Sequence, residues 1–236
     1  MLIHQTLLPL LRKQKNWLLN HATSVVVEFY RNPYKERAAL RQFSAAVSFF
    51  LRSQEETHMN YQELETIAKE CGFTHTALLD CSTIRLLPEV RAMCASDKCH
   101  QYDANWACPP GCGTLEECEE RIRKYQWGIL VQTVGQLEDS LDFEGMKETE
   151  AAHKDSFLKM DKILQKQAPG RLPLGTGCCS VCKNCTYPDA PCRFPEKSVS
   201  SMEAYGMLVT QVCQDNRLSY YYGSGTIAYT ACFLIQ

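Results

Sequence analysis

From residue 60 onward, apolar and polar positions alternate between helical and extended stretches. Tyr61, Leu64, Ile67, Ala68 and Cys71 recur at the three-and-four spacing of an amphipathic helix, with Asn60 as N-cap, Glu63 three positions later and Gly72 as the stop. Thr74 to Asp80 is short and apolar enough for a strand, and Ile84 to Met93 predicts a short helix around Pro88. Thr114 and Glu117 form a capping box ahead of a helix whose apolar face is Leu115, Cys118, Ile122 and Tyr125. Trp127 to Thr133 is a nearly continuous apolar run, as a buried strand requires. A long helix is predicted from Gly145 to Gln165, where Met146, His153, Phe157, Met160 and Leu164 share one face, His153 at the edge of the core. Ser200 and Glu203 predict a further capping box, opening a helix with Ala204, Met207, Leu208 and Val212 on its inner side.

Leu218 to Tyr222 and Thr226 to Ile235 flank Gly223, Ser224 and Gly225 as the arms of a β-hairpin. The last arm is apolar on both faces, with Ile227, Tyr229 and Phe233 on one and Ala228, Cys232 and Leu234 on the other, which places it centrally in a sheet. This order of elements predicts an α+β fold, a small mixed β-sheet with packed helices and two cysteine-rich loops at one end.

Residues 1–58 differ from the rest. They hold no cysteine and carry eight Lys or Arg against four Asp or Glu, a net +4, whereas residues 59–236 carry 17 against 23, a net −6. Because Met59 opens a segment that looks like an ordinary protein start, residues 1–58 read as an N-terminal helical extension, with helices around Leu2 to Asn20 and Lys35 to Arg52, or as a stretch upstream of a misassigned start. An amphipathic helix lying on a membrane is the functional alternative. The domain of interest is residues 59–236.

A formal charge of −2 over 236 residues gives no electrostatic case for a nucleic-acid or anionic-membrane partner. Fourteen cysteines are the strong deviation. The N-terminus places its basic residues after its apolar ones, the wrong order for a signal peptide, and no apolar run spans a bilayer. The expected compartment is therefore a reducing cytoplasm, where clustered thiols hold metal rather than form disulfides.

Two groups carry that chemistry. Cys179, Cys182 and Cys185 follow a CxxCxxC rhythm, with Cys192 seven positions later between Pro191 and Pro195. Three thiolates on one tight loop can face a common centre, the arrangement used by cubane iron–sulfur clusters. Zinc competes, although its sites usually draw on two separated CxxC pairs. Cys178, Cys182 and Cys185 also spell CxxxCxxC, the pattern of radical S-adenosylmethionine enzymes, but only 51 residues follow Cys185, too few for their barrel. The second group is Cys94, Cys99, Cys108 and Cys112, with Cys118 as substitute for Cys112. Pro109 and Pro110 stiffen this loop, Gly111 and Gly113 permit tight turns, and Tyr102 and Trp106 can shield sulfur from water. His100 beside Cys99 could replace a thiolate, although a surface or hydrogen-bonding role is commoner for such a residue. Cys71, Cys81, Cys213 and Cys232 read as small buried hydrophobes.

CxxxxC followed by YxxxWxCPP, then CxxCxxC with PCRxP, then SMEAxG resembles the cysteine-rich "predicted metal-binding protein" family, domain of unknown function number 2284, common in anaerobic bacteria and archaea. The likeness covers essentially all of residues 59–236. It implies metal or iron–sulfur binding, carried by Cys94, Cys99 and Cys108 at the first site and Cys179, Cys182, Cys185 and Cys192 at the second. Tyr205 stands where the family form SMEACG has a cysteine, and Ser200 where a proline is usual. The functional expectation is a cytoplasmic protein with one or two [4Fe-4S] clusters that passes electrons to an unidentified redox partner. An iron–sulfur enzyme with an open coordination position and a structural zinc module are the alternatives.

Overall fold

The computed structural model describes residues 59–236, so the expectations for residues 1–58 lie outside the described residues. Five helices and a four-stranded sheet form the frame: α1 (Tyr61–Cys71), β1 (His75–Asp80), α2 (Pro88–Ala95), α3 (Leu115–Ile122), β2 (Trp127–Gln136), α4 (Phe143–Gln167), β3 (Leu172–Leu174), α5 (Val209–Asp215) and β4 (Thr226–Ile235). The sheet order is β1-β2-β4-β3 and every pairing is antiparallel, which narrows the expected mixed sheet to an antiparallel one. Among the described residues the one parallel pairing is an isolated bridge between Gly175 and Ser201.

Local signals act as the sequence predicts at most helix ends. Asn60 accepts from the Glu63 N–H at 3.0 Å, the Glu63 carboxylate accepts from the Asn60 N–H at 3.0 Å, and Gly72 ends α1 at φ 107°. Thr114 and Glu117 close the same box on α3, and Pro88 occupies the first turn of α2, where its missing N–H costs nothing.

β2 and β4 pair along ten residues, from Trp127 opposite Ile235 to Gln136 opposite Thr226. Both are covered on both faces. Ile129, Val131, Ala231, Phe233 and Ile235 meet α1 and α4 on one side, where Phe157 stacks on Phe233 at 4.7 Å between ring centres. Leu130, Cys232 and Leu234 meet the other core, which includes Cys118, Ile122, Met202, Met207, Val212 and Cys213. The expected central position and the two expected faces of the last strand are both seen. Cys71, Cys81, Cys213 and Cys232 are buried, and burial pushes the Cys81 thiol up to about 12 and the Cys213 thiol up to about 11.

Two expectations need correction. Ser200 and Glu203 do not open a long helix: Glu203–Tyr205 is a single 3-10 turn capped by Gly206 at φ 87°, and α5 begins only at Val209. Ser201 rather than Ser200 accepts from the Ala204 N–H, and the chain then bridges Leu86 through Met207. A Cβ at residue 206 would lie 2.6 Å from Leu115 Cδ2, so glycine lets this turn sit against α3. Leu218 to Tyr222 is not a hairpin arm either. β4 takes β2 as its full-length partner, while the expected arm is tied to the sheet by side chains: Gln132 Nε2 donates to Ser219 O at 3.1 Å, and the Tyr222 hydroxyl donates to Gln132 Oε1 at 2.6 Å.

The C-terminal end of α4 is fixed to the segment that feeds the second cysteine loop by a buried ion pair, in which Arg171 Nη2 lies 2.6 Å from Asp161 Oδ1 and both side chains are under 10% exposed. Removing one member leaves a buried unpaired charge, so Asp161→Ala should cost roughly 3–5 kcal/mol in urea unfolding. Asp155→Ala, which breaks the exposed Lys159 pair, should leave the midpoint unmoved. Equal effects of the two changes would remove Arg171–Asp161 from the frame's supports.

Candidate metal centre

The first cysteine loop is built between α2 and α3. Cys94 lies on α2 and is half-buried, Cys99 is exposed in the turn that follows, and Cys108 and Cys112 are buried. Cys112 N–H donates to Cys108 O at 3.0 Å and Gly113 N–H to Pro110 O at 2.9 Å, with Gly113 at φ 103°, so the expected tight turn around Cys112 is present. Cys94 lies within electrostatic reach of Cys99 and Cys112, and Cys108 within reach of Cys178, Cys99 and Cys112. These four first-loop thiols and Cys178 of the second loop thus feel one another's charge, without converging on a common point.

Burial raises the thiol pKa of Cys94 and pushes Cys108 up to about 11. A thiol in that position ionises when a cation supplies the charge its surroundings withhold. Cys112 is shifted the other way: a hydrogen bond from Cys118 and the positive charge of Arg91 hold it below the ordinary thiol range, while that same hydrogen bond, followed by burial, pushes Cys118 up. Arg91 Nη1 donates to Cys112 Sγ at 3.2 Å and also to Ala204 O, and Arg91 Nη2 donates to Gly113 O. Arg121 Nη1 donates to Cys112 O at 2.7 Å and to the Tyr205 hydroxyl at 3.1 Å. Among the described residues neither arginine forms an ion pair within 4 Å, and Glu117, which acts on Arg121 from further away, is committed to its capping box. Neither arginine is singled out by its spacing. Their signal in sequence was only their placement one turn before Cys94 and three residues after Cys118. Tyr205 is 4% exposed and lies within electrostatic reach of Cys118 and Cys112, so its ring faces this site. His100 is exposed beside Asp97.

The second loop runs from β3 to the 3-10 turn without regular structure. Cys179, Cys182, Cys185 and Cys192 are half-buried and Cys178 is exposed. The Thr186 hydroxyl donates to Pro191 O at 2.9 Å, and Arg193 donates to Asn184 O, which draws the CxxC end and the PCRxP end together.

The two loops touch. Trp106 Nε1 donates to Ala190 O at 3.0 Å, the Tyr187 hydroxyl donates to Asp103 Oδ1 at 2.8 Å, and the Trp106 and Tyr187 rings meet edge to face at 4.9 Å. Gly111 permits this approach, since a Cβ there would lie 2.5 Å from Asn105 O and 2.9 Å from the Tyr187 ring. Between the loops lies a cavity of about 530 Å³ lined by Cys112 and Arg121 from one side, Cys192 and Pro191 from the other, with Trp106 and Tyr205.

All cysteines of both loops are free thiols. Among the described residues, no three His, Cys, Asp or Glu side chains converge closely enough to form a closed coordination sphere. The donor set is soft thiolate flanked by arginine rather than acid, which fits zinc or an iron–sulfur cluster and does not fit a hard cation such as calcium or magnesium. Coordination and ordering of such a loop are one process, because the ligands must lose protons and come together on the metal.

An α+β scaffold that holds two thiol-rich loops against each other defines the class, a cysteine-rich metal-binding protein. The chain belongs to the family described as Predicted metal-binding protein (DUF2284), which matches residues 77–235. The match leaves α1 and the first two residues of β1 outside it. No curated protein and no solved structure matches the chain. No described helix is long and apolar enough to cross a membrane.

His153 was expected at the core edge and is instead 1% exposed, beside the second loop. Burial lowers its pKa from 6.5 to about 4. The unfolded chain takes up a proton near pH 6.5 and the folded chain resists until about 4, so the stability His153 contributes is present above 6.5 and lost as pH falls through that window. For the metal-free chain this amounts to about 3 kcal/mol between pH 7 and 4. Urea unfolding across that range should show the loss in the wild type and a flatter curve in His153→Phe. Parallel curves would mean that the imidazole is charged in the folded state.

Proposed function

We propose that this protein is an iron–sulfur electron carrier of the cytoplasm, with Cys94, Cys99, Cys108 and Cys112 holding one [4Fe-4S] cluster and Cys179, Cys182, Cys185 and Cys192 another. A bound cluster would supply one-electron redox chemistry at a potential set by burial and hydrogen bonds to sulfur. The observation that carries the reading is the contact between the loops. Trp106 against Tyr187, with Trp106 bonded to Ala190, puts the two thiol sets on one continuous piece of protein. An electron could then cross from one set to the other without a third carrier. Arg91 and Arg121 supply positive charge where four thiolates and a cluster would concentrate negative charge. The client is a redox protein, with nucleic acid and membranes set aside on charge.

One observation favours a second reading, an iron–sulfur enzyme with an open coordination position. The 530 Å³ cavity between Cys112 and Cys192 falls in the size range of small-molecule sites, and Arg121 could anchor an anionic group there.

The deciding experiment is anaerobic purification of the full chain, followed by iron, zinc and acid-labile sulfide analysis and electron paramagnetic resonance before and after dithionite. The carrier reading expects about eight irons and eight sulfides per chain and a signal that appears on reduction. Stoichiometric zinc without sulfide would leave a structural zinc module. Cys112→Ser separates the two iron readings: a carrier loses or shifts one cluster signal, whereas an open-site enzyme keeps both clusters.

A further inference from the structure

Among the described residues, His153 Nε2 is the one buried side-chain nitrogen or oxygen without a hydrogen-bond partner. Its ring is held on the other side, where Nδ1 lies 3.0 Å from the Thr133 hydroxyl of β2. Phe73 packs edge-on at 5.4 Å and Tyr229 lies tilted at 6.2 Å. Among the described residues no other side-chain hydrogen bond engages the Thr133 hydroxyl, and Thr133 is buried as well. Donating its proton to Nδ1 is the arrangement that satisfies it, and that arrangement leaves the ring hydrogen on Nε2. A buried N–H donor without an acceptor costs free energy, so an acceptor is to be sought where the ring borders open space.

That space is a cavity of about 70 Å³ between α4 and the start of the second cysteine loop, bordered by His153, Lys154, Cys178, Cys179 and Lys197. The loop is pinned beside the ring, because Lys154 Nζ, the next residue along α4, donates to the hydroxyl of Ser180, the next residue after Cys179. Two lysines bordering so small a space favour an anionic acceptor. Among the described residues the only anion-forming side chains on its wall are the two thiols, and of these Cys179 is the less exposed and begins the CxxCxxC run.

We propose that His153 is the hydrogen-bond donor of the second metal centre, its Nε2–H meeting the Cys179 thiolate when the loop holds metal. His153 is then a positioning residue: it contributes no ligand atom, orients Cys179, and offsets part of the thiolate charge. The inference rests on the reading of Cys179 as a metal ligand, but not on the identity of the metal.

The test is an anaerobic titration of the metal-free full chain with cobalt(II), followed by thiolate-to-cobalt charge-transfer absorption. Loss of a partner that orients a ligand typically weakens metal binding 10- to 100-fold. His153→Phe, which keeps the ring volume and removes the donor, should weaken cobalt binding at the second loop by about ten-fold or more. His153→Gln, which restores an N–H, should recover part of the loss. Thr133→Val keeps His153 but frees its Nδ1, and should weaken binding several-fold, which gives a reading even if His153→Phe fails to fold. In a Cys179→Ser background the His153 substitution should have no further effect.

Unchanged cobalt affinity in His153→Gln and Thr133→Val would overturn the proposal, as would a His153 effect that persists in the Cys179→Ser background. Absence of any charge-transfer band in the wild type overturns it too, since there would be no thiolate centre to accept the bond. If the purified protein carries zinc and no sulfide, the electron-carrier reading is lost while the cobalt comparison still decides the role of His153.

Discussion

The ten-residue ladder between β2 and β4 is the constraint on which the other elements depend. Both strands are apolar on alternate sides and covered on both, so a slip of one residue would exchange Phe233 with Leu234 and turn each face into the wrong core. That register fixes the cysteine loops as well. The first loop is delivered to β2 through α3, whose Cys118 and Ile122 are buried in one core. The second leaves from β3, which pairs with β4 through only three residues, and its start is held from the opposite core by α4. Neither loop has regular structure to stabilise it. Each is positioned because its ends enter a sheet that cannot shift.

Within this frame the first loop has an electrostatic conflict to resolve. Its thiols sit where burial opposes ionisation, yet soft metals are bound by thiolates. Arg91 and Arg121 answer the conflict from the protein side. Their donors are satisfied by the carbonyls of Ala204, Gly113 and Cys112, so they are held in place without a carboxylate to neutralise them. Positive charge fixed by backbone carbonyls remains available to a neighbouring anion. Cys112 already benefits from it, and Cys118, whose proton it needs as a hydrogen bond, is raised in turn.

Much of this was legible in the sequence because the signals are local. Asn60 with Gly72, Thr114 with Glu117, and the two-faced apolar pattern of Thr226 to Ile235 each state their structure within one element. The failures are non-local. Ser200 and Glu203 have the spacing of a capping box, but Gly206 packs against Leu115 and Met207 is drawn into a bridge with Leu86, contacts made by residues about 90 to 120 positions away. The pair Leu218–Tyr222 and Thr226–Ile235 has the spacing of a hairpin, but β2 outcompetes the nearby arm with a longer, largely apolar ladder whose buried polar pair, Gln132 and Thr230, is hydrogen-bonded. In the site, cysteines announce themselves by spacing, whereas Arg91, Arg121 and His153 act only through where the fold brings them.

The meeting of the loops changes what their thiols can do. Two independent loops could each serve a structural metal, and a change at one would leave the other alone. Here Tyr187 of the second loop fills the space left by Gly111 of the first, and Asp103 accepts its hydroxyl. If each loop takes metal as proposed, ordering of one would place the docking surface of the other, and the free energy of the first binding event would favour the second. The same contact brings Cys178 of the second loop within reach of Cys108 of the first. A structural metal needs no such coupling. On the proposed reading, with a charged centre in each loop, such coupling would hold the two at fixed separation, and the Trp106–Tyr187 contact is the part of the fold that would supply it.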